Sequence, residues 1–343
     1  MDSGLKNLSF PQRTTASVEV AVPARLHLGF LDLDGGLGRR FGSIGLALAE
    51  IEMRLSAVPA ETVRATGPSS ARAADFAQRM LAALKFKSGI DLTISQAIPE
   101  HAGLGSGTQM ALAVGTAIVR LYQPDARHGD WTPRAIAKML GRGERSGIGI
   151  GAFEQGGLLV DGGRRIDGDE SAPIVSRVEF PQGWRVLLVL DESATGLHGE
   201  AERAAFRKLP PFTADLSGHL CRLVLMALLP AAAEGDFHRF ATAAAEIQNA
   251  VGDYFAPFQG GRFASPRVAS VLDWLKSEGV EGIGQSSWGP TGFAFIENTA
   301  EASALLQSAR RKWAGDDRLR FMICRGRNEG GRVAIGFPMA AAK

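Results

Sequence analysis

The segment Pro99–Met110, PEHAGLGSGTQM, combines closely spaced glycines with hydroxyl and amide side chains. Glycine lets the backbone approach a ligand closely, and the free N–H groups at the start of a helix attract anions, phosphate above all. An ordinary strand-to-helix turn is the alternative, but it does not need three glycines and two hydroxyls. The sequence therefore predicts an anion site with these candidate substrate-binding residues: Gly103, Leu104, Gly105, Ser106, Gly107, Thr108 and Gln109.

The residues around this segment place it between a strand and a helix. Ile90, Leu92 and Ile94 alternate as in a half-buried strand, and apolar residues from Met110 to Leu121 recur at helical spacing. The loop has no lysine, which the P-loop pattern requires, and its G-x-G-x-G spacing differs from the dinucleotide fingerprint. It is therefore a glycine loop of a different kind.

A second glycine-rich stretch, GRGERSGIGIGAFEQGG at Gly141–Gly157, has seven glycines in seventeen residues. One glycine suffices to end a helix, so we predict another loop that faces the ligand, with a structural turn as the alternative. The polar candidates in this stretch are Glu144, Arg145, Ser146, Glu154 and Gln155.

Two further blocks add polar residues to apolar patterns. In PARLHLGF, Arg25 and His27 interrupt the apolar pattern of a predicted strand. The block GIGQSSWGPTGFAF is a glycine-rich turn that leads into a later predicted strand. A histidine on a strand is often a satisfied core residue, and a tryptophan beside Gly-Pro often only packs. The candidates from these blocks and from the acidic segment after residue 190 are Arg25, His27, His198, Ser286, Ser287, Trp288 and Gly289.

Composition indicates an ordinary globular protein. The 343 residues are 45% hydrophobic and 22% charged, with a net charge of +2, which argues against a dedicated nucleic-acid or membrane surface. The apolar run Leu220–Ala233 is interrupted by Arg222 and Pro230 and is predicted to be too short to cross a bilayer. Two cysteines make no disulfide framework, so we expect a cytoplasmic protein. A polar stretch at 162–182 predicts two domains, 1–180 and 181–343.

The blocks PARLHLGF, PEHAGLGSGTQM and GIGQSSWGPTGFAF stand in the order of the GHMP kinase superfamily, and the resemblance covers nearly the whole chain. It implies an α+β, two-lobed GHMP-kinase-like fold with the ligand cleft between the lobes and the glycine loop around the phosphates. Two positions depart from the kinase pattern. Gly107 replaces a second serine that would help hold magnesium, and no aspartate follows Ser146-Gly147. Both departures weaken a kinase assignment.

The variant blocks GLGSGTQ, GERSGIGIGAFEQGG, GLHGE and SSWGPTGF resemble one branch of the superfamily, the β-ribofuranosylaminobenzene 5'-phosphate synthases. The resemblance implies transfer from phosphoribosyl pyrophosphate to 4-aminobenzoate or 4-hydroxybenzoate, with release of carbon dioxide and pyrophosphate. The product would be a C-riboside for a tetrahydromethanopterin-type carrier. It further implies a homodimer. Holding the pyrophosphate calls for Mg²⁺, and the reaction requires no organic cofactor, because the substrate is its own electron source. The near-neutral charge predicts no nucleic-acid or membrane partner.

That chemistry assigns expected roles to the candidates. Leaving pyrophosphate needs amides and cations, for which Arg25 and Arg145 are the candidates. A carboxylate such as Glu144 or Glu154 would stabilise the cationic ring, and His27 or His198 would assist proton transfer. The histidines show no metal-ligand spacing, and the metal ligands stay unknown.

Two other functions remain open at this point. A GHMP-family small-molecule kinase would use ATP and an acid in the cleft, and a non-catalytic relative would bind a phosphorylated metabolite as a sensor. As a minor hypothesis, VLLVLDESATG at Val186–Gly196 resembles the sugar-phosphate loop of ordinary phosphoribosyltransferases.

Overall fold

Two antiparallel-rich sheets form the framework of the chain, in a computed structural model that describes residues 17–122, 131–196 and 199–336. The strands are β1 (Ser17–Asp32), β2 (Arg39–Ala60), β3 (Arg64–Thr66), β4 (Gly89–Gln96), β5 (Leu158–Asp161), β6 (Arg164–Arg165), β7 (Ile174–Val178), β8 (Arg185–Asp191), β9 (Ile283–Gln285), β10 (Gly292–Ile296), β11 (Leu319–Cys324) and β12 (Arg332–Gly336). The first sheet has the order β12-β1-β2-β4-β3 with β5, β6 and β7 attached, and the second has the order β11-β8-β10-β9.

Helices cover these sheets and supply most of the connections. They are α1 (Ser70–Ala83), α2 (Ser106–Tyr122), α3 (Pro133–Met139), α4 (Ile148–Glu154), α5 (Gly199–Lys208), α6 (Ala214–Leu223), α7 (Leu229–Glu234), α8 (Phe237–Gln259), α9 (Pro266–Ser277) and α10 (Thr299–Lys312), with a π-helical turn at Val224–Leu228. The mixture of helices with largely antiparallel sheets confirms the predicted α+β class.

Local sequence signals account for most of these elements. Thr132 caps α3 by accepting the N–H of Ala135, with Pro133 in the first turn, as its Thr-Pro start predicts. Helix α2 is buried over most of its length, which its continuous apolar and small residues allow. The predicted strands at Val18–Phe30 and Arg185–Leu190 correspond to β1 and β8.

One continuous apolar core extends across both sheets. Phe180, Trp184, Phe240 and Phe295 form a chain of aromatic contacts in it, with ring centroids 4.9–5.9 Å apart. Each of these residues is at most 4% exposed. Because the helix α8 carries Phe240 and the strand β10 carries Phe295, this packing holds the second sheet against the segment that leaves the first.

Three elements differ from the sequence prediction. Residues 148–154 form the helix α4, although the glycines around them indicate a loop. The apolar pattern of the sequence predicts its last strand at Leu319–Cys324. A further strand, β12, follows it and pairs with β1 in the first sheet. The run predicted to be too short for a bilayer belongs to a 21-residue helical stretch, Ala214–Glu234, which is long and apolar enough by length and composition alone, with 28% of its apolar window buried.

The chain passes from the first sheet to the second between Val178 and Arg185, at the polar stretch where the sequence suggests a boundary. The division into domains 1–180 and 181–343 stays a prediction. Strand β12 returns to the first sheet, so the C-terminal part contributes to both sheets.

A buried ion pair fastens that return. Arg327 Nη1 lies 3.0 Å from Glu52 Oε2 on β2, and the two side chains are 9% and 8% exposed. We expect Glu52→Gln to lower the free energy of unfolding by about 3–5 kcal/mol, because it leaves the Arg327 charge buried without its carboxylate. Urea denaturation measures this. Asp169→Asn, at the exposed pair with Lys138, is the control and should cost less than about 1 kcal/mol. Equal losses in the two variants would contradict the assignment.

Candidate active site

The glycine loop has a backbone shape that only glycine adopts easily. Gly103 and Gly105 have φ angles of 78° and 84°, in the left-handed region. Gly105 O accepts the N–H groups of Thr108 and Gln109, so the loop leads directly into the first turn of α2. The predicted strand, glycine loop and helix are therefore present, with the free amides of a helix start at Ser106 and Gly107.

Strand β1 supports one side of the loop through Arg25. The Arg25 N–H donates to Leu104 O at 3.1 Å, and its Nη1 donates to Gly103 O at 2.5 Å. A Cβ at position 105 would lie 3.2 Å from Arg25 Cγ. Glycine at 105 thus makes room for this guanidinium beside the loop.

The segment after β9 holds the other side of the loop. Ser286, which is fully buried, donates its hydroxyl to Gly103 O at 2.8 Å and accepts the His27 N–H at 3.0 Å. Ser287 N–H donates to His27 O, and Gly289 N–H donates to Ser286 O. A Cβ on Gly103 would collide with Ser286 O. The first and third sequence blocks therefore meet the glycine loop, as the predicted cleft between lobes requires.

Two arginines that the sequence analysis did not select lie at the start of α2. A Cβ at position 107 would overlap Arg72 Nη2 and come within 3.3 Å of Arg142 Nη2. Arg72 comes from α1, and Arg142 follows α3. The guanidinium of Arg72 thus lies in the space that a serine at 107 would need, and it would have to shift to admit one.

The guanidinium groups around the loop have hydrogen-bonding capacity to spare. Arg25 Nε, Arg72 Nη1 and Arg142 Nε are buried atoms with no hydrogen-bond partner in the part of the chain that the structure describes. Burial lowers the pKa of Arg25 to about 10, and burial with the neighbouring charges of Arg72 and Arg79 lowers the pKa of Arg142 to about 10. Such cations stay charged at neutral pH. Buried donors without acceptors mark a place where an anion fits.

Arg145 links this cationic site to α5. Its Nη1 lies 2.7 Å from Glu202 Oε1, and its guanidinium lies 5.5 Å from the centre of the Phe206 ring. Glu202 and Phe206 are four residues apart, so they share one face of α5. The charge of Glu202 also acts on Arg25.

An aromatic cluster adjoins these charges. Trp288 packs against Phe206 and Phe255 with ring centroids 5.6 and 4.6 Å apart, and Phe30 contacts Phe206 at 5.8 Å. A small pocket opens here, and His27, Phe30, Phe255 and Trp288 are among its lining residues. Trp288 therefore both packs in the core and borders the pocket.

His27 lies between the cations and the aromatic cluster. It is 3% exposed, and its ring contacts the edge of Phe30 at 4.7 Å. Burial, followed by the charges of Arg25 and Arg145, holds its pKa well below the usual value of 6.5. Its Nδ1 has no hydrogen-bond partner among the described residues. His27 is therefore a neutral imidazole with an unused ring nitrogen in the site.

A buried carboxylate organises the second glycine-rich stretch. Asp161 accepts the N–H groups of Ser43 and Gly147 and the hydroxyls of Ser43 and Ser146. Burial raises the pKa of Asp161, while these hydrogen bonds oppose the rise. Ser146 thus helps to position the segment that carries Arg142 and Arg145.

Several predicted residues have side chains that are exposed or that contact other parts of the protein. Glu144 is exposed, and its charge acts on Arg142. Glu154 and Gln155 lie at the far end of α4, where Glu154 is 3.9 Å from Arg134. Gln109 is fully buried and donates to Gly149 O at 2.7 Å, which joins α2 to α4. His198 lies outside the described residues.

Position 149 is the second residue after Ser146-Gly147, where the Ser-Gly-x-Asp pattern of the kinases that this chain resembles has its aspartate. It is a glycine, and a Cβ there would lie 2.9 Å from Thr108 Cγ2, so the start of α4 packs closely on α2.

The acidic residue at the end of β8, Asp191, has hydrogen-bond partners within the protein. It accepts hydrogen bonds from Ser193 and Ser265. The Gly196 N–H donates to His101 O in the segment before the glycine loop, so this amide is also engaged within the protein, and the phosphoribosyltransferase-like hypothesis stays a prediction.

Sequence reasoning missed Arg72, Arg142 and Glu202 for an identifiable reason. Arg142 lies in the glycine-rich stretch beside the chosen Glu144 and Arg145, so its neighbours were a usable signal. Arg72 and Glu202 lie on amphipathic helices, where a charged residue ordinarily faces solvent.

The neutral state of His27 predicts a pH dependence of stability. The unfolded chain binds a proton on this imidazole near its usual pKa of 6.5, whereas the folded protein does so only at a lower pH. His27 therefore stabilises the fold above that usual pKa, and the contribution is lost as the pH falls toward the folded value, by up to about 1.4 kcal/mol per pH unit. His27→Gln should flatten a plot of unfolding free energy against pH below about pH 6.5. The exposed His238→Gln is the control, and parallel curves for His27→Gln and wild type would disprove the assignment.

Comparison with known proteins agrees with this geometry. Residues 71–157 match the model of the GHMP kinases N terminal domain, and residues 228–315 match that of the GHMP kinases C terminal domain. In structure, the chain is similar to homoserine kinase from Cytophaga hutchinsonii, with a TM-score of 0.64 at 16% identity over 96% of this chain and 100% of that one. This likeness shows the GHMP fold.

Curated relatives carry a more specific name. The beta-ribofuranosylphenol 5'-phosphate synthase of Archaeoglobus fulgidus is 31% identical over 93% of this chain and 100% of the relative. The protein of the same name from Methanothermobacter thermautotrophicus is 29% identical over 91% of this chain and 97% of the relative. The chain therefore belongs to the family of the beta-ribofuranosylphenol 5'-phosphate synthases, within the GHMP fold.

Proposed function

We propose that this enzyme transfers the 5-phosphoribosyl group of phosphoribosyl pyrophosphate to an aromatic acid, with loss of carbon dioxide and pyrophosphate. The observation that carries the proposal is the set of buried guanidinium atoms without hydrogen-bond partners around the glycine loop, together with the aromatic pocket that His27 lines. An anion and an aromatic ring would thus be held next to each other. The family to which the chain belongs supports the same reaction.

The anion in this proposal is the pyrophosphate group. Arg25 contacts the loop at Gly103, while Arg72 and Arg142 approach it at Gly107. Several guanidinium groups with fixed N–H directions can bind the many oxygens of a pyrophosphate. A single monophosphate would need fewer of them. The amides at the start of α2 add partial positive charge on the same side. These groups would stabilise the negative charge that develops on the leaving group.

The aromatic pocket supplies the acceptor site. Phe30, Phe255 and Trp288 line the pocket and would offer edges and faces to a substrate ring, and His27 would offer a nitrogen for a polar substituent. The relatives are named for a phenol riboside, so 4-hydroxybenzoate is the acceptor we propose first, with 4-aminobenzoate as the other.

The reaction balances without a further reagent. The bond between C1 of the ribose and the pyrophosphate oxygen breaks, and its electron pair leaves with pyrophosphate. The ring carbon that bears the carboxylate bonds to C1, and the ring becomes cationic. The bond to the carboxylate then breaks, its electron pair restores the aromatic ring, and carbon dioxide departs. The protein holds two substrates in register for this step, which accounts for much of a rate enhancement in such reactions.

Mg²⁺ is part of the proposal as a companion of the substrate. No group of three or more His, Cys, Asp or Glu side chains that could hold a metal occurs in the described parts of the chain. Mg²⁺ commonly binds through substrate phosphates with few protein ligands. In this proposal the pyrophosphate oxygens therefore hold the ion. Bound there, it would neutralise charge on the leaving group. The sequence suggests no organic cofactor, because the substituted ring is itself the electron source.

The remaining expectations belong to the same proposal. The product would serve a tetrahydromethanopterin-type carrier, and the enzyme would act in the cytoplasm as a homodimer. Exposed Leu225 and Met226 at the π-helical turn form an apolar surface that supports association. Ultracentrifugation tests the dimer, which a monomer at working concentration would refute.

The first experiment measures labelled carbon dioxide from carboxyl-labelled 4-hydroxybenzoate, with phosphoribosyl pyrophosphate and Mg²⁺. We expect release only when both substrates are present, and the same assay with 4-aminobenzoate gives the acceptor preference. Release that does not depend on phosphoribosyl pyrophosphate, or binding of ATP without any release, would reject the synthase and favour the kinase alternative.

The anion site predicts a defined effect of Arg142→Met. Because hydrogen bonds from a charged donor contribute about 1.5–3 kcal/mol, the KM for phosphoribosyl pyrophosphate should rise roughly tenfold to a hundredfold. The KM for the aromatic acid should change little. Arg165→Met, at an exposed pair with Asp167, is the matched control and should behave as wild type. An unchanged KM for phosphoribosyl pyrophosphate in Arg142→Met would remove this residue from the site.

A further inference from the structure

We infer that Glu202 is a catalytic residue, the carboxylate that stabilises the positive charge formed when the ribose and the aromatic ring are joined. The inference rests on the proposed function, because it assigns a residue to the cationic stage of that reaction. It replaces the carboxylates that the sequence analysis selected for this role, Glu144 and Glu154.

Position favours Glu202 over the other two. Glu144 is exposed, and Glu154 lies at the end of α4 that faces Arg134. The Glu202 side chain is only 15% exposed and lies 2.7 Å from Arg145. It is also close enough to Arg25 to raise the pKa of that guanidinium against the effect of burial.

The helix α5 brings this carboxylate to the aromatic pocket. Phe206, one helical turn after Glu202, contacts Trp288 and Phe30, which both line the pocket. Arg145 touches both α5 residues, through the ion pair with Glu202 and the ring of Phe206. Glu202 therefore lies where the cationic site and the aromatic site meet, which is where C1 of the ribose must meet the ring.

The charges of the reaction give Glu202 its task. When pyrophosphate departs, C1 becomes electron-poor, and after the new bond forms the ring carries a positive charge until carbon dioxide leaves. The surrounding guanidinium groups stabilise pyrophosphate but oppose this second charge. A carboxylate fixed between them, in a site of low exposure, stabilises the ring cation more strongly than water would. It forms no covalent bond and transfers no proton.

A purely structural role for Glu202 makes a different prediction. If the carboxylate only neutralised Arg145, its removal would free that guanidinium for the anion, so binding of phosphoribosyl pyrophosphate would tighten and turnover would persist. A structural role therefore predicts a lower KM for phosphoribosyl pyrophosphate with little change in kcat, whereas a catalytic role predicts a lower kcat.

The test compares Glu202→Gln with Glu200→Gln, a matched change on the same helix at an exposed residue paired with Arg207. Removing one preorganised stabilising group typically lowers kcat by about a hundredfold or more, and we expect that loss for Glu202→Gln with 4-hydroxybenzoate. The KM for phosphoribosyl pyrophosphate should stay the same or fall. Glu200→Gln should match wild type, and Glu202→Asp, which keeps the carboxylate, should recover part of kcat. Unfolding midpoints show whether each variant folds.

The two acceptors provide a readout that a structural role would not move. An amino group donates electrons to the ring more strongly than a hydroxyl, so the cation from 4-aminobenzoate needs the carboxylate less. We expect the ratio of kcat for 4-aminobenzoate to kcat for 4-hydroxybenzoate to rise in Glu202→Gln. An unchanged ratio with wild-type kcat overturns the role of Glu202 alone, whereas a wild-type enzyme that releases no carbon dioxide overturns the proposed function itself.

Discussion

The hydroxyl of Ser286 joins the two halves of this site, and the geometry around it depends on that junction. It donates to Gly103 O in the glycine loop and accepts the N–H of His27 on β1. Because Ser286 follows the second sheet and its partners belong to the first, these bonds set the distance across the cleft. Gly103 allows the contact, since a side chain there would collide with Ser286 O. The loop therefore has one position relative to the third sequence block.

Charge is the second constraint. Arg25, Arg72 and Arg142 lie around Gly105 and Gly107. Arg25 Nε and Arg142 Nε have no hydrogen-bond partner among the described residues, and Arg72 Nη1 lies 3.8 Å from Glu100 Oε1. Such an arrangement costs free energy, through like-charge repulsion and lost hydration. Hydrogen bonds elsewhere hold it, notably those of Asp161, which anchors the segment between Arg142 and α4. The fold thus maintains a cationic site that an anion would stabilise.

The helix α5 connects this site to the aromatic cluster. One face of α5 carries Glu202 and Phe206. Glu202 forms an ion pair with Arg145, and the ring of Phe206 makes a cation–π contact with the same guanidinium. The same GHMP fold therefore has glycines at positions 107 and 149, where the kinase pattern has a serine and an aspartate, and the guanidinium of Arg72 lies in the space beside Gly107. The chain therefore lacks, at these two positions, the side chains of the kinase pattern.

The sequence by itself determined the strand, glycine loop and helix, the order of the three blocks and the family. These features depend on residues close together in the chain: alternating apolar positions, glycines with positive φ, and helix caps. Only the tertiary structure decided which charged side chains share the site. Arg72 and Glu202 come from surface-type helices far from the loop in sequence, and periodicity does not distinguish a charge that faces solvent from one that faces a cleft. The sequence pattern did not predict the pairing of β12 with β1 either, because contacts between distant segments of the chain determine which strands pair.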